Sequence, residues 1–193
     1  MIFLMLIPYT LYFVCYTIYM FSNPDTIISQ AGITPGAVVL DVGAGIGAYS
    51  FACAKRIGTN GRVYALEVQK DLLVRLSNDA QKMHLNNVEV LWGDVERPNG
   101  TKLAKHSVDV VILANILFQL RDKESALKEI TRILKPGGKV VVVDWSSSFG
   151  GLGPKQEDVI TASQAEMLFV KNNFHRNGTL TAGSHHYGII FSI

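Results

Sequence analysis

Five short, uninterrupted apolar runs, each followed by a stretch of helical periodicity, restrict this chain to one kind of architecture. The runs are Ala37 to Val42, Arg62 to Val68, Val88 to Gly93, Val108 to Ala114 and Lys139 to Trp145. Continuous hydrophobicity, not alternation, is what strands show when both faces of their sheet are covered. A spacing of about 20 to 31 residues leaves room for a helix between consecutive strands. The pattern therefore predicts an α/β fold with a doubly wound, mostly parallel sheet.

The intervening segments carry matching signals. Leu72, Leu73, Leu76, Ala80 and Met83 make one helical apolar face, closed by Asn86-Asn87. Leu127, Ile130, Ile133 and Leu134 make another, stopped by Lys135-Pro136-Gly137-Gly138. Ser146 to Pro154 reads as a loop, and Thr161-Ala162-Ser163-Gln164 as a capping box opening a helix that reaches about Asn173. The tail reads as a hairpin, with arms His175 to Thr181 and Tyr187 to Ile193 joined by Ala182-Gly183-Ser184.

A length of 193 residues fits one such domain, from residue 22 to 193. Eighteen basic against sixteen acidic side chains give a net charge of +2, too little to hold a nucleic-acid backbone as an obligatory partner. The two cysteines, Cys15 and Cys53, supply neither a disulfide framework nor a metal cage, and an intracellular chain without a metal is expected. Residues 1–21 carry no charged side chain. At about 1.5 Å per residue a helix of that length would match a hydrocarbon core. Against a membrane span stand Pro8 and four tyrosines scattered through the run. Two readings stay open. The segment is a membrane anchor holding the domain on the cytosolic side, or Met20 is the true start, with Asn23-Pro24-Asp25 opening the first helix and the domain free in the cytoplasm.

Chemistry concentrates where strands end. The first strand runs into Asp41-Val42-Gly43-Ala44-Gly45-Ile46-Gly47 and a helix follows at once. Bare backbone at Gly43, Gly45 and Gly47 admits close approach, and the free N–H groups of the helix start favour a carboxylate or phosphate. Glu67 ends the second strand, 20 residues beyond Gly47, where an acid can accept from both hydroxyls of a ribose. Asp94-Val95 follows the third strand, placing another carboxylate within reach of an adenine amino group, although an acid there also serves as an ordinary helix cap.

Together these motifs resemble the class I S-adenosylmethionine-dependent methyltransferases over about residues 22 to 193. The glycine loop matches their cofactor signature, Glu67 the ribose position and Asp94 the adenine position. Val108 to Asn115 is similar to their fourth-strand motif and Leu134 to Lys139 to the turn before their fifth strand. The resemblance implies a Rossmann-like strand order 3-2-1-4-5-7-6 with an antiparallel seventh strand, and S-adenosyl-L-methionine bound by Asp41, Gly43, Gly45, Gly47, Glu67, Asp94, Val95 and Asn115. Methyl transfer to a small or lipophilic acceptor then needs mainly alignment and water exclusion. Asn115, Asp144, His185 and His186 are the candidates for acceptor contact or proton transfer, the histidines through their near-neutral titration. Asp144 has a plainer reading as a loop cap, and the histidines as a solvated or hydrogen-bonded turn.

Departures narrow the reaction. No Asn-Pro-Pro-Tyr or Asp-Pro-Pro-Tyr follows the fourth strand and no Pro-Cys pair occurs, which disfavours methylation of nucleic-acid bases. Two cysteines do not make the thiol relay of arsenite methyltransferases. The pattern is closest to the group that includes quinone-biosynthesis and other small-molecule methyltransferases. A nicotinamide-dependent oxidoreductase and a non-catalytic cofactor-binding or interaction domain are the alternatives. Asp41 and the hairpin tail argue against the first.

Overall fold

The computed structural model describes residues 22–151 and 153–193, so expectations for residues 1–21 fall outside the described residues. Chain order is α1 (Pro24–Gln30), β1 (Val38–Val42), α2 (Ala48–Ile57), β2 (Arg62–Glu67), α3 (Lys70–Lys82), β3 (Val88–Trp92), β4 (Val108–Ala114), α4 (Lys123–Ile133), β5 (Leu134–Trp145), α5 (Ala162–Lys171), β6 (His175–Leu180) and β7 (His186–Ser192). The seven strands form one sheet ordered β3-β2-β1-β4-β5-β7-β6. All pairings are parallel except those of β7 with β5 and β6. Among the described residues no helix is long and apolar enough to cross a membrane.

Continuous apolar runs arise because each central strand feeds two cores. Leu40, Val42, Val111, Leu113, Val140 and Val142 point to the face covered by α4 and α5. Their neighbours Val39, Val110, Ile112, Val141 and Val143 point to the face covered by α1 and α2. On the first face Phe169 of α5 stacks on Phe191 of β7, with ring centroids 4.2 Å apart, and pins the antiparallel tail against the sheet. Local signals set the helix ends. Asn23 caps α1 by accepting from the Thr26 amide ahead of Pro24, and Thr161 and Gln164 close a full capping box on α5.

The expected stop does end α4, at Ile133, and its residues then continue as a strand. Lys135-Pro136-Gly137-Gly138 belongs to β5, which begins at Leu134 directly after α4, with Leu134 paired to Val108 and a register shift before Lys139 meets Val110. Gly137 takes φ +75°, and a side chain at Gly138 would lie 2.8 Å from the Lys135 carbonyl oxygen, so these glycines let the chain bulge without leaving the sheet.

Strand order reverses between β1 and β4. In open α/β sheets the crevice beyond the carboxyl ends at that reversal is where ligands bind. At this edge the loops after β3, β2, β1, β4 and β5 and the start of β7 lie side by side.

Candidate active site

A cleft of about 270 Å³ opens at the reversal point, lined by Gly43, Gly45, Glu67, Asp94, Val95 and Ile116 among others. Gly43 and Gly45 both hold positive φ, +67° and +55°. A side chain at Gly43 would meet Ile116 Cδ1 at 2.6 Å, so the glycine is what allows the segment after β4 to fold down over the loop after β1. Gly47, at φ +87°, is the N-cap of α2 and packs under the Phe51 ring instead of lining the cleft.

Glu67 is 5% exposed and its carboxylate faces the glycine loop. Oε2 accepts from the Gly45 amide at 3.0 Å, while Oε1 accepts from the amides of Val68 and Gln69 at 2.8 and 2.9 Å. Two carboxylate oxygens offer about four acceptor sites, so these bonds leave room for about one more. Accepting both hydroxyls of a ribose requires one of these three amide bonds to give way, and release of Gly45 would free Oε2 for both. The Asp94 carboxylate also lies on the cleft, where Oδ1 accepts from the Glu96 amide and Oδ2 lies 3.5 Å from Arg97 Nε. It therefore caps its own turn while presenting the remaining acceptor capacity to the cleft.

Asp41 lies beneath the loop and off the cleft wall, 2% exposed, with Oδ2 accepting from the Ser50 hydroxyl at 2.6 Å. That bond ties the end of β1 to the first turns of α2 and so fixes the loop between them. Burial, opposed by the Ser50 bonds and reinforced by nearby Glu67, pushes the Asp41 carboxyl up to about 7. A carboxyl raised in the folded state binds more protons there than in the unfolded chain, so its contribution is fully present below about pH 4 and is lost as pH rises through about 7. Asp41→Asn keeps an acceptor for Ser50 and removes the ionisation. Urea denaturation should show the variant gaining on the parent chain between pH 4 and 7, by on the order of a few kcal/mol at the upper end. A constant difference across that range would contradict the assignment.

Beyond Ile116 the edge continues onto β4, β5 and β7. Asn115, at φ +56°, donates its amide to the Val143 carbonyl, and its carbonyl accepts from Gln119 Nε2. Asp144 is 1% exposed; Oδ2 accepts from the Leu117 amide at 2.9 Å and Oδ1 from the Trp145 amide at 2.8 Å. Burial raises the Asp144 carboxyl to about 6 against these bonds. The geometry makes Asp144 a clamp on the segment after β4, whose Ile116, Gln119 and Leu120 wall the cleft. His186 pairs with Trp145 across β5 and β7, and their rings lie 4.3 Å apart. His185 stacks on Phe149 at 3.8 Å and its carbonyl accepts from the Ser146 amide, fastening the hairpin corner to the loop after β5.

Sequence reading missed Ser50, Ile116, Gln119 and Glu96. Ser50 carried a usable signal, as a small hydroxyl in the first turn of a helix that follows a strand-end acid. The others depend on how the segments after β3 and β4 fold back.

Comparison with known proteins agrees with this geometry. A family model described as a methyltransferase domain matches residues 33–185. The ubiquinone/menaquinone biosynthesis C-methyltransferase UbiE of Hydrogenovibrio crunogenus is 35% identical over 122 residues, covering 62% of this chain and 46% of that protein. The demethylmenaquinone methyltransferase of Bacillus cytotoxicus is 32% identical over 115 residues, 59% of this chain and 47% of its own length. The chain thus spans about half the length of these curated relatives. A solved S-adenosylmethionine-dependent methyltransferase from Aquifex aeolicus superposes with a TM-score of 0.83 at 26% identity, covering 91% of this chain and 92% of that one. By family match, strand order and the glycine-lined crevice at its reversal point, the chain belongs to the class I S-adenosylmethionine-dependent methyltransferases.

Proposed function

We propose that this protein transfers a methyl group from S-adenosylmethionine to a small or lipophilic acceptor. The observation that carries the reading is the row of Gly43, Gly45, Glu67 and Asp94 around one cleft at the strand-order reversal. The donor set fits the cofactor: carboxylates for ribose and adenine, and backbone exposed by glycine for the remainder. When bound, the cofactor supplies a methyl already activated on its sulfonium.

What the chain contributes is placement and dryness. Glu67 and Asp94 hold the adenosine half, with the Val95 backbone beside it. The Asp41–Ser50 bond keeps the glycine loop in shape, and the Asp144 clamp holds Ile116 and Leu120 down as an apolar wall that excludes water. Displacement in line with the leaving sulfur gains most of its rate from such orientation, so no buried nucleophile is needed. The acceptor lies on the β4–β5–β7 side, beyond Ile116. The names of the relatives make a quinone precursor a reasonable first acceptor to test, and residues 1–21, uncharged in sequence, would bring the domain to lipid with its cofactor drawn from the cytosol.

Incubating the full chain with cofactor labelled in the methyl group and a lipid extract tests this. Label should enter the organic phase in a product one methylene heavier than its precursor. Cofactor binding with no labelled product in either phase would instead favour a silent binding module.

A further inference from the structure

Two large apolar side chains that folding leaves in water stand side by side. Trp92, at the end of edge strand β3, is 53% exposed, and Val68, just past β2, is 55% exposed. The Trp92 indole N–H donates to the Val68 carbonyl at 3.1 Å, which holds the ring in one orientation. Lys70 and Lys102 bring their ammonium groups to 5.4 and 4.9 Å from the ring centroid. Lys102 Nζ also donates to the Trp92 carbonyl at 2.9 Å, and an ammonium has three donors, so both cations keep donors for an anion. Folding gains little from an indole with half its surface in water. Tryptophan and lysine each join an apolar body to a polar tip, and side chains of that kind suit the boundary between a lipid bilayer and water.

Position supports a bilayer as the occupant. Residues 1–21 carry no charged side chain. They join the domain at Ser22, whose hydroxyl accepts from the Tyr49 hydroxyl at 3.2 Å, and Tyr49 belongs to the first turn of α2, just past the glycine loop. The uncharged segment therefore meets the domain close to the carboxyl edge of the sheet, the edge that carries Val68 and Trp92. Charge around the ring favours an anionic surface. Glu67 is buried against three amides, and Asp71 and Asp94 are outnumbered by Lys70, Arg97 and Lys102.

We propose that Val68, Lys70, Trp92 and Lys102 form a docking surface for a bilayer of anionic phospholipid, with the indole at headgroup depth and the two ammonium groups on lipid phosphates. A lysine at such a surface strengthens binding about fivefold. The inference concerns where the domain sits and not what it methylates. Its test involves no methyl transfer, so its failure would leave the methyltransferase reading standing.

The test mixes the full chain with vesicles whose acyl chains are brominated near the headgroup, made of phosphatidylglycerol or of phosphatidylcholine, and follows tryptophan fluorescence. Bromine quenches a ring that reaches the bilayer. The other tryptophan, Trp145, is 7% exposed, and Trp92→Phe reads its emission alone. Quenching should appear with phosphatidylglycerol, be at least threefold weaker with phosphatidylcholine or at 1 M salt, and vanish in W92F. Replacing both Lys70→Gln and Lys102→Gln should cut quenching at equal anionic lipid at least threefold. No quenching of the parent chain, or equal quenching with both lipids, overturns the proposal without recourse to any variant. So does quenching that persists in W92F. A Trp92 signal that answers to a single-stranded RNA homopolymer or to protein concentration, and not to vesicles, would give the patch to nucleic acid or to a second copy and overturn it equally.

Discussion

Glu67→Ala should weaken S-adenosylmethionine binding by about 1–3 kcal/mol, roughly 5- to 150-fold, with the chain still folded. The loss has two sources. Charge-assisted bonds from a ribose to the carboxylate disappear, and the amides of Gly45, Val68 and Gln69 lose the acceptor that now arranges them around the cleft. Glu67→Gln separates these contributions. The amide keeps one acceptor oxygen, so it should retain part of the loop order but little of the charge assistance, and its affinity should fall between the two. Calorimetric titration reads both variants. Parent-like affinity in folded Glu67→Ala would remove Glu67 from the cofactor site.

A larger effect on stability is expected at Glu129, which does not line the cleft. Glu129 on α4 is 3% exposed and gathers five donors: the Asn99 and Thr101 amides, the Thr101 hydroxyl, and Nε and Nη2 of Arg132. Burial alone would raise its carboxyl, yet the Arg132 and Thr101 bonds outweigh that and hold it down to about 2. Glu129→Ala leaves the amides and a partly buried guanidinium without their acceptor. Breaking a buried pair costs about 3–5 kcal/mol, and the partial exposure of Arg132 reduces this to about 2–4. Melting should fall by about 10 °C. A carboxyl depressed in the folded state contributes fully above the unfolded value of 4.5, and the contribution is lost as pH falls through about 2. The gap between parent and variant should therefore narrow in acid. A gap that persists unchanged at pH 2 would mean the network acts by packing and not by charge.

The two cases differ in how far the sequence announces them. Glu67 is legible because a strand-end acid 20 residues past a glycine loop has a geometric consequence fixed by the fold. The sheet itself is legible for a similar reason: an uninterrupted run such as Val108 to Ala114 must be covered on two sides, and helices between such runs do the covering. Glu129 carries no such mark. Apart from Arg132, its partners lie about 30 residues away, in a loop whose path is set by Gly100, where any side chain would strike the Asp94 carbonyl. The role of Asp41 was hidden likewise, since its type suggested the cleft while its partner Ser50 draws it below the loop. Lys135 to Gly138 ends α4 as read, but Pro and Gly there give no sign that a strand has already begun. The pairing of Leu134 with Val108 carries the strand through them. That the ring nitrogens of His186 have no hydrogen-bond partner among the described residues is visible only once β7 is laid against β5.

A structure of the chain with S-adenosylhomocysteine bound decides whether this crevice holds the cofactor. Glu67 should release the Gly45 amide and accept both ribose hydroxyls, with the adenine against Asp94 and Val95. A ligand seated elsewhere, or one bound while Glu67 still holds all three amides, would contradict it.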